Sequence, residues 1–307
     1  MSKPFVEGGD RSRPALRAVL ATLRPRQWFK NSFVLAPLVF AKHLFDASYA
    51  LRAIAAFAVF CALSGAVYAF NDVRDAAQDS EHPTKRRRPV AAGELSERAA
   101  LVLAVLLAVS ALFAGAALSL AFCTVAAGYL ANNVAYTLLI KRIPFVDVLS
   151  IAGGFLLRVV AGAFAVGVVV SPWLLVCTGL IACLLGLGKR AHELSQARAS
   201  DRAAATTRAA LSGYRLGPLR AILIVLAVAT MTAYALYTRD DRTVAFFVTE
   251  QLIWTTPFCV LGIGRFLQLA LSGARDDSPT DTILRDPMFL LNLAAWGAAV
   301  VAIIYQA

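Results

Sequence analysis

Charge is what this sequence has least of. Of its 307 residues only 16% are Asp, Glu, Lys or Arg, while 59% are hydrophobic and the mean hydropathy is +0.67. Water-soluble domains carry about half apolar and about a quarter charged residues, so a soluble globular domain is excluded. Histidine is nearly as scarce: His43, His82 and His192 show no HExxH or other metal spacing. Cys61, Cys123, Cys177, Cys183 and Cys259 stand singly in apolar runs, with no CxxC among them. They read as small apolar residues, not as ligands or disulfides. The first 31 residues are polar and basic and have no apolar stretch of the kind a cleavable signal peptide needs.

What the chain does have is long uncharged runs. Residues 99–140 hold no charged side chain. As helix that run is about 60 Å long, twice a hydrocarbon core of about 30 Å, so it must be two spans, with a turn near Gly115. Residues 143–188 hold only Asp147 and Arg158 and again predict two spans, broken around Gly167 and Pro172. Single spans read at 53–71, 221–238, 243–264 and 288–305, with a weaker one at 29–45 interrupted by Pro37 and Lys42. The expectation is an all-α polytopic membrane protein with nine transmembrane helices. A basic tail, 1–24, precedes a transmembrane domain, 25–307.

The basic residues are one-sided. All 30 Lys and Arg lie in the N-terminal tail or in the loops around 72–98, 141–142, 189–220 and 265–285, except Lys42, Arg52, Arg239, Arg242 and the intramembrane Arg158. The positive-inside rule then puts the N-terminus and both long polar loops in the cytoplasm and the C-terminus outside. The net charge of +11 fits contact with anionic lipid. Nucleic acid is not an expected partner, because the cations are divided among short loops between spans.

Five constellations carry possible chemistry. The sharpest is Asn71-Asp72-Val73-Arg74-Asp75-Ala76-Ala77-Gln78-Asp79, at the cytoplasmic end of the second span. Asp72, Asp75 and Asp79 share one helical face, with Asn71 four residues before Asp75. Converging carboxylates repel unless a cation sits among them, and hard oxygen ligands suit Mg²⁺, or Mn²⁺ in its place. The bland alternative is a solvated acidic helix end. Directly after it comes His82-Pro83-Thr84-Lys85-Arg86-Arg87-Arg88-Pro89, a cation density that suits a polyphosphate or, more plainly, marks the cytoplasmic side. Arg24-Pro25-Arg26-Gln27-Trp28-Phe29-Lys30-Asn31 reads equally as an interfacial anchor and as a phosphate ligand. Tyr136, Lys141, Arg142 and Asp147 flank the turn between spans four and five. Gly188-Lys189-Arg190-Ala191-His192-Glu193-Leu194 closes span six, where Lys189 and Glu193 could also be an ordinary surface pair.

The segment NDVRDAAQDSEHPTKRRRPVAAGELS resembles the first acidic motif of the UbiA superfamily of intramembrane prenyltransferases. RPRQWFKN, KRIPFVDVLSIAGGFLLRVVAGA, SPWLL and GKRAHEL together look like its polyprenyl-phosphate phosphoribosyltransferase branch, over about residues 23–305. The resemblance implies a bundle around a central lipid-open cavity in a bacterial inner membrane. It implies 5-phosphoribosyl 1-diphosphate as donor and a polyprenyl phosphate as acceptor. Asp72, Asp75 and Asp79, with Asn71, would hold the metal. Lys85, Arg86, Arg88, Lys189, Arg190, Glu193, Tyr136 and Lys141 become candidates for the donor, and Arg26, Lys30 and Asn31 for the lipid phosphate. Family members that prenylate aromatics carry a second DxxxD. Here the matching segment, GKRAHELSQARASDRAAATTR, has Glu193 and Asp201 but no Asp pair at that spacing.

Two rival readings remain: a prenyltransferase with an aromatic or other acceptor, and a non-enzymatic transporter. A last expectation concerns two deep charges. Arg158 and Glu250 lie at similar computed depths, and a lone intramembrane charge seeks a partner, so spans five and eight are expected to be neighbours joined by this pair.

Overall fold

The structure is a computed structural model that describes residues 12–81, 85–199, 209–271, 282–283 and 285–306. Lys3, Arg11, His82, Pro83, Thr84, Asp201, Arg202, Arg208 and Arg275 lie outside the described residues. Those described are helical, with no strand among them. The helices are α1 (Ser12–Leu23), α2 (Ala36–Phe40), α3 (Ala47–Ser80), α4 (Glu97–Leu118), α5 (Leu120–Leu138), α6 (Val146–Val166), α7 (Pro172–Ala199), α8 (Leu216–Arg239), α9 (Asp241–Phe247), α10 (Thr256–Leu271) and α11 (Pro287–Gln306). Seven of them are long and apolar enough to cross a membrane, α10 together with the turn before it. They correspond to seven of the nine expected spans.

The differences have local causes. The first expected span is not one helix: Pro25–Leu35 is a 3₁₀ segment that runs into the five-residue α2. Prolines at the start of each piece remove backbone donors, and residues three apart in a 3₁₀ helix share a face, which buries Asn31 and Val34 together. That face is pressed onto α6. A Cβ on Gly162 would stand 2.9 Å from the carbonyl carbon of Val34 and closer still to its oxygen, so only glycine admits the contact. The break between α4 and α5 falls at Ser119, whose hydroxyl accepts from Phe122 N–H and caps α5. α5, where the remaining span was expected, is 19 residues long and carries Asn132 and Asn133; it is not among the seven. The expected span 243–264 is displaced. α9 ends at Val248, a β-branched residue with φ of 57°, and a new turn begins at Gln251. Between α6 and α7 the break falls as read, with Gly167 in the left-handed region capping α6.

The two largest packed cores share α6. One gathers Val34, Phe60, Leu63, Phe122, Tyr129 and Ala161 around α3, α4 and α5. The other gathers Val148, Leu184, Leu211, Tyr214, Leu223 and Phe266 around α7, α8 and α10. Outward-facing Val105, Phe113, Val225, Leu236 and Leu291 are exposed, as side chains facing lipid would be. The chain is an integral membrane protein.

Candidate functional site

One end of the bundle gathers the charged groups. The C-terminal turns of α3 project Asp72, Asp75 and Asp79, and each meets a cation from a different part of the chain. Arg24 donates to Asp72 through Nη2. Arg88 donates through Nη1 to Asp79 at 2.5 Å and stands 3.5 Å from Asp72. Lys141, from the turn between α5 and α6, donates to Asp75 at 2.5 Å. Asn71 accepts from the buried hydroxyl of Thr137. Asp72 and Asp79 are almost fully buried.

Arg24 has φ of 50°, a left-handed turn that sends its side chain back toward α3. Burial holds its guanidinium below the ordinary arginine range, and Asp72 opposes that shift only in part. At the same time Asp72 Oδ2 is buried with no hydrogen-bond partner, an orphaned anionic oxygen of the sort a cation satisfies. Among the described residues no three His, Cys, Asp or Glu side chains are gathered as a ready ligand set, because each carboxylate is turned to its own basic residue. The orphaned oxygen, on a helix face that also carries the oxygen ligands of Asn71, Asp75 and Asp79, has the chemistry that fits a hard divalent cation.

Beside this lies a second cluster. Asp147, on the first turn of α6, is fully buried. It accepts from Arg190 Nε at 2.7 Å and from the Tyr214 hydroxyl at 2.7 Å. Arg190 also donates to Glu193 at 2.6 Å. The Tyr214 hydroxyl accepts from the backbone N–H of Phe145 at 2.7 Å, a residue in a left-handed conformation with φ of 64°. Thus the 209–215 segment, α7 and the turn before α6 are tied together. Tyr136 lies within electrostatic reach of Arg190.

Among the expected donor-binding residues, Arg88, Arg190, Glu193 and Lys141 are engaged as above. Lys85, Lys189 and Tyr136 are half-buried, and Arg86 is exposed. Arg26 is exposed and lines a depression of about 360 Å³ with Ala21, Arg24, Pro25 and Gln27. Lys30 stands 5.9 Å over the Phe29 ring.

Two expectations need correction. Asn31 does not join Arg26 and Lys30. It is fully buried, and its Oδ1 accepts from Ser64 at 3.2 Å and from Arg158 at 2.8 Å, because the 3₁₀ register turns it to the interior. Arg158 does not pair with Glu250. Its bonds go to Asn31, to Gly154 O and to the Tyr129 hydroxyl, while Glu250 is exposed at the start of a turn. Sequence reasoning gave no role to Tyr214, and it placed Arg24 and Asp147 in charged constellations without their partners, which only long-range packing reveals.

A profile of the UbiA prenyltransferase family matches residues 32–293. A decaprenyl-phosphate phosphoribosyltransferase of Mycolicibacterium smegmatis is 32% identical over 298 residues, covering 94% of this chain and 92% of that one. A Mycobacterium tuberculosis H37Rv protein of the same name is 33% identical over 288 residues, covering 92% of each. The fold is similar to a UbiA homolog from Archaeoglobus fulgidus bound to DMAPP and Mg²⁺, with a TM-score of 0.68 at 17% identity, covering 94% of this chain and all of that one.

Proposed function

This chain belongs to the UbiA prenyltransferase family, and on that premise we propose that it transfers the 5-phosphoribosyl group of 5-phosphoribosyl 1-diphosphate to a polyprenyl phosphate, releasing diphosphate. The observation that carries the reading is the charged end of the bundle. Three carboxylates on one helix face are paired with Arg24, Arg88 and Lys141 at one end of the bundle. In this reading that end is a mouth that takes a metal-bound polyphosphate, with a lipid chain below. The names of the mycobacterial relatives agree with it.

Asp72, Asp75 and Asp79, with Asn71, would hold Mg²⁺. Bound there, the ion supplies neutralisation of the charge that builds on the departing diphosphate. Arg88 and Lys141, with Lys85, Arg86 and Lys189 around the rim, bind the donor's phosphates. Arg190, Glu193 and Tyr136 line the far side. Arg26 and Lys30 draw the anionic lipid head to the surface. The ribose C1–O bond to diphosphate breaks while a lipid phosphate oxygen bonds C1 from the opposite face, with inversion. That oxygen is already anionic at pH 7, so no general base is needed. The cationic excess on one side orients the N-terminus and this mouth to the cytoplasm.

The test is an assay of purified protein in detergent with Mg²⁺ and polyprenyl phosphate. It offers either the phosphoribosyl donor or a prenyl diphosphate with an aromatic acid. Diphosphate release with the first donor alone is the expected result. Release only with the second establishes the prenyltransferase reading, and release with neither, in folded protein, removes the enzyme reading.

A further inference from the structure

An arginine keeps its charge wherever it is placed. Arg158 is 7% exposed, inside α6. Its Nε, Nη1 and Nη2 donate to Asn31 Oδ1 at 2.8 Å, Gly154 O at 2.9 Å and Tyr129 Oη at 2.8 Å. The rings of Tyr129 and Phe155 lie 4.6 and 5.3 Å from its guanidinium carbon. Every one of these partners is neutral. An arginine has five N–H donors, so two remain for something else. A charge at membrane depth that no carboxylate balances marks a functional position by default, and the planar fork of a guanidinium matches phosphate.

The guanidinium is aimed at the mouth. Helical side chains lean toward the helix N-terminus, and the bond to Gly154 O carries this one back a full turn, toward the end of α6 that holds Asp147. On α3, Ser64, Tyr68 and Asp72 follow at four-residue steps along one face. Arg24 lies over the Tyr68 ring at 4.9 Å, and the Tyr68 phenol feels the charges of both Arg24 and Arg158. A polar column therefore descends from Asp72 and Arg24, past Tyr68, to Arg158 and its supports Asn31, Ser64 and Tyr129. One turn of α3 separates Tyr68 from Asp72, about 6 Å.

We propose that Arg158 seats the phosphate monoester of the acceptor lipid, with Tyr68 and Arg24 above it and the hydrocarbon chain in the apolar bundle below. The inference rests on the function proposed above. A phosphate at the level of Tyr68 is within reach of a sugar carbon whose diphosphate is held at Asp72. Arg26 and Lys30 then serve the arrival of the lipid at the surface, and Arg158 its reacting position. Asn31 and Tyr129 hold the guanidinium in place through Nε and Nη2.

The experiment measures binding to the full chain in detergent by titration calorimetry, with farnesyl phosphate as a short lipid phosphate. Farnesol, ribose 5-phosphate, and Mg²⁺ with inorganic diphosphate are the other probes. Arg158→Met is expected to weaken farnesyl phosphate by about 30-fold or more, the size expected for losing a buried charged contact. Binding of farnesol and of Mg²⁺ with diphosphate stays unchanged. Unchanged farnesyl phosphate binding in the variant overturns the proposal. So does a loss confined to ribose 5-phosphate, which would make the anion the donor's sugar phosphate. If Arg158→Met fails to fold, Arg158→Lys keeps the charge without the fork; a raised KM for lipid phosphate with the donor KM unchanged supports the seat, and two unchanged KM values overturn it. Wild-type protein that binds no farnesyl phosphate at all sinks the proposed function itself, a result distinct from equal binding by wild type and variant.

Discussion

Arg158 and Arg190 are buried alike, at 7% and 1% exposure, yet they stand in opposite electrostatic surroundings. Arg190 faces Asp147 and Glu193, with Tyr214 completing the hydrogen bonds of Asp147. Arg158 faces an amide, a carbonyl and a phenol. A buried ion pair is matched within the protein, and its worth lies mostly in what happens when one partner goes missing. A buried cation held by neutral acceptors keeps its charge available to a ligand. Residue type and burial are thus alike in both, and what separates them is the charge within a few ångströms.

The largest expected effect sets the chemistry apart from both arginines. Asp72→Ala, Asp75→Ala and Asp79→Ala should each cut turnover by about 10³-fold or more, the scale of a lost metal's charge stabilisation. Asp72→Ala and Asp79→Ala also strand Arg24 and Arg88, so their melts should fall and turnover is compared well below them; excess chelator should abolish turnover in wild type. Near-normal turnover in two of the three variants removes the metal site.

Next in size is Asp147→Ala, which strands Arg190. Unfolding in detergent should become easier by about 3–5 kcal/mol. Asp147→Ala combined with Arg190→Met should recover part of that loss, and a double variant no better than the single one breaks the matched-pair reading. Arg158→Met sharpens the contrast, because it leaves no carboxylate behind. Its cost should stay within about 1.5–3 kcal/mol, the range for hydrogen bonds to a charged group, and below that of Asp147→Ala. A loss equal to that of Asp147→Ala would make Arg158 structural.

The smallest effect belongs to Tyr214→Phe, about 1 kcal/mol. Burial, and then the bond to Asp147, push the Tyr214 phenol pKa upward. A raised phenol pKa favours the neutral form in the folded state. Its contribution is fully present below the unfolded value of about 10 and is lost only as pH climbs through the folded one. The difference between variant and wild type should therefore be the same at pH 7 and pH 9.

The helical spans were legible because uncharged runs of bilayer length leave the backbone little choice. The acidic face of α3 was legible because its spacing is local. Arg24 and Asp72 are 48 residues apart, and Arg190 and Asp147 are 43 apart, so no periodicity announces either pair. The Arg158–Glu250 expectation failed for two physical reasons. Val248 breaks the helix and puts Glu250 in an exposed turn. Arg158 finds its acceptors on Asn31, 127 residues away, where depth counted along a continuous helix could not point, because that segment is 3₁₀.

The contact between Gly162 and Val34 bears on how sequence variants of this chain should be read. Replacing a helical glycine by alanine ordinarily favours the helix by about 1 kcal/mol, and a variant table would score it as benign. At Gly162 the added methyl would displace the 25–35 segment, because the carbonyl of Val34 already fills that space. That segment carries Asn31, and Arg24 directly precedes it. One methyl group, placed on a residue with no polar chemistry of its own, would disturb at once the Asn31 contact to Arg158 and the Arg24 contact to Asp72.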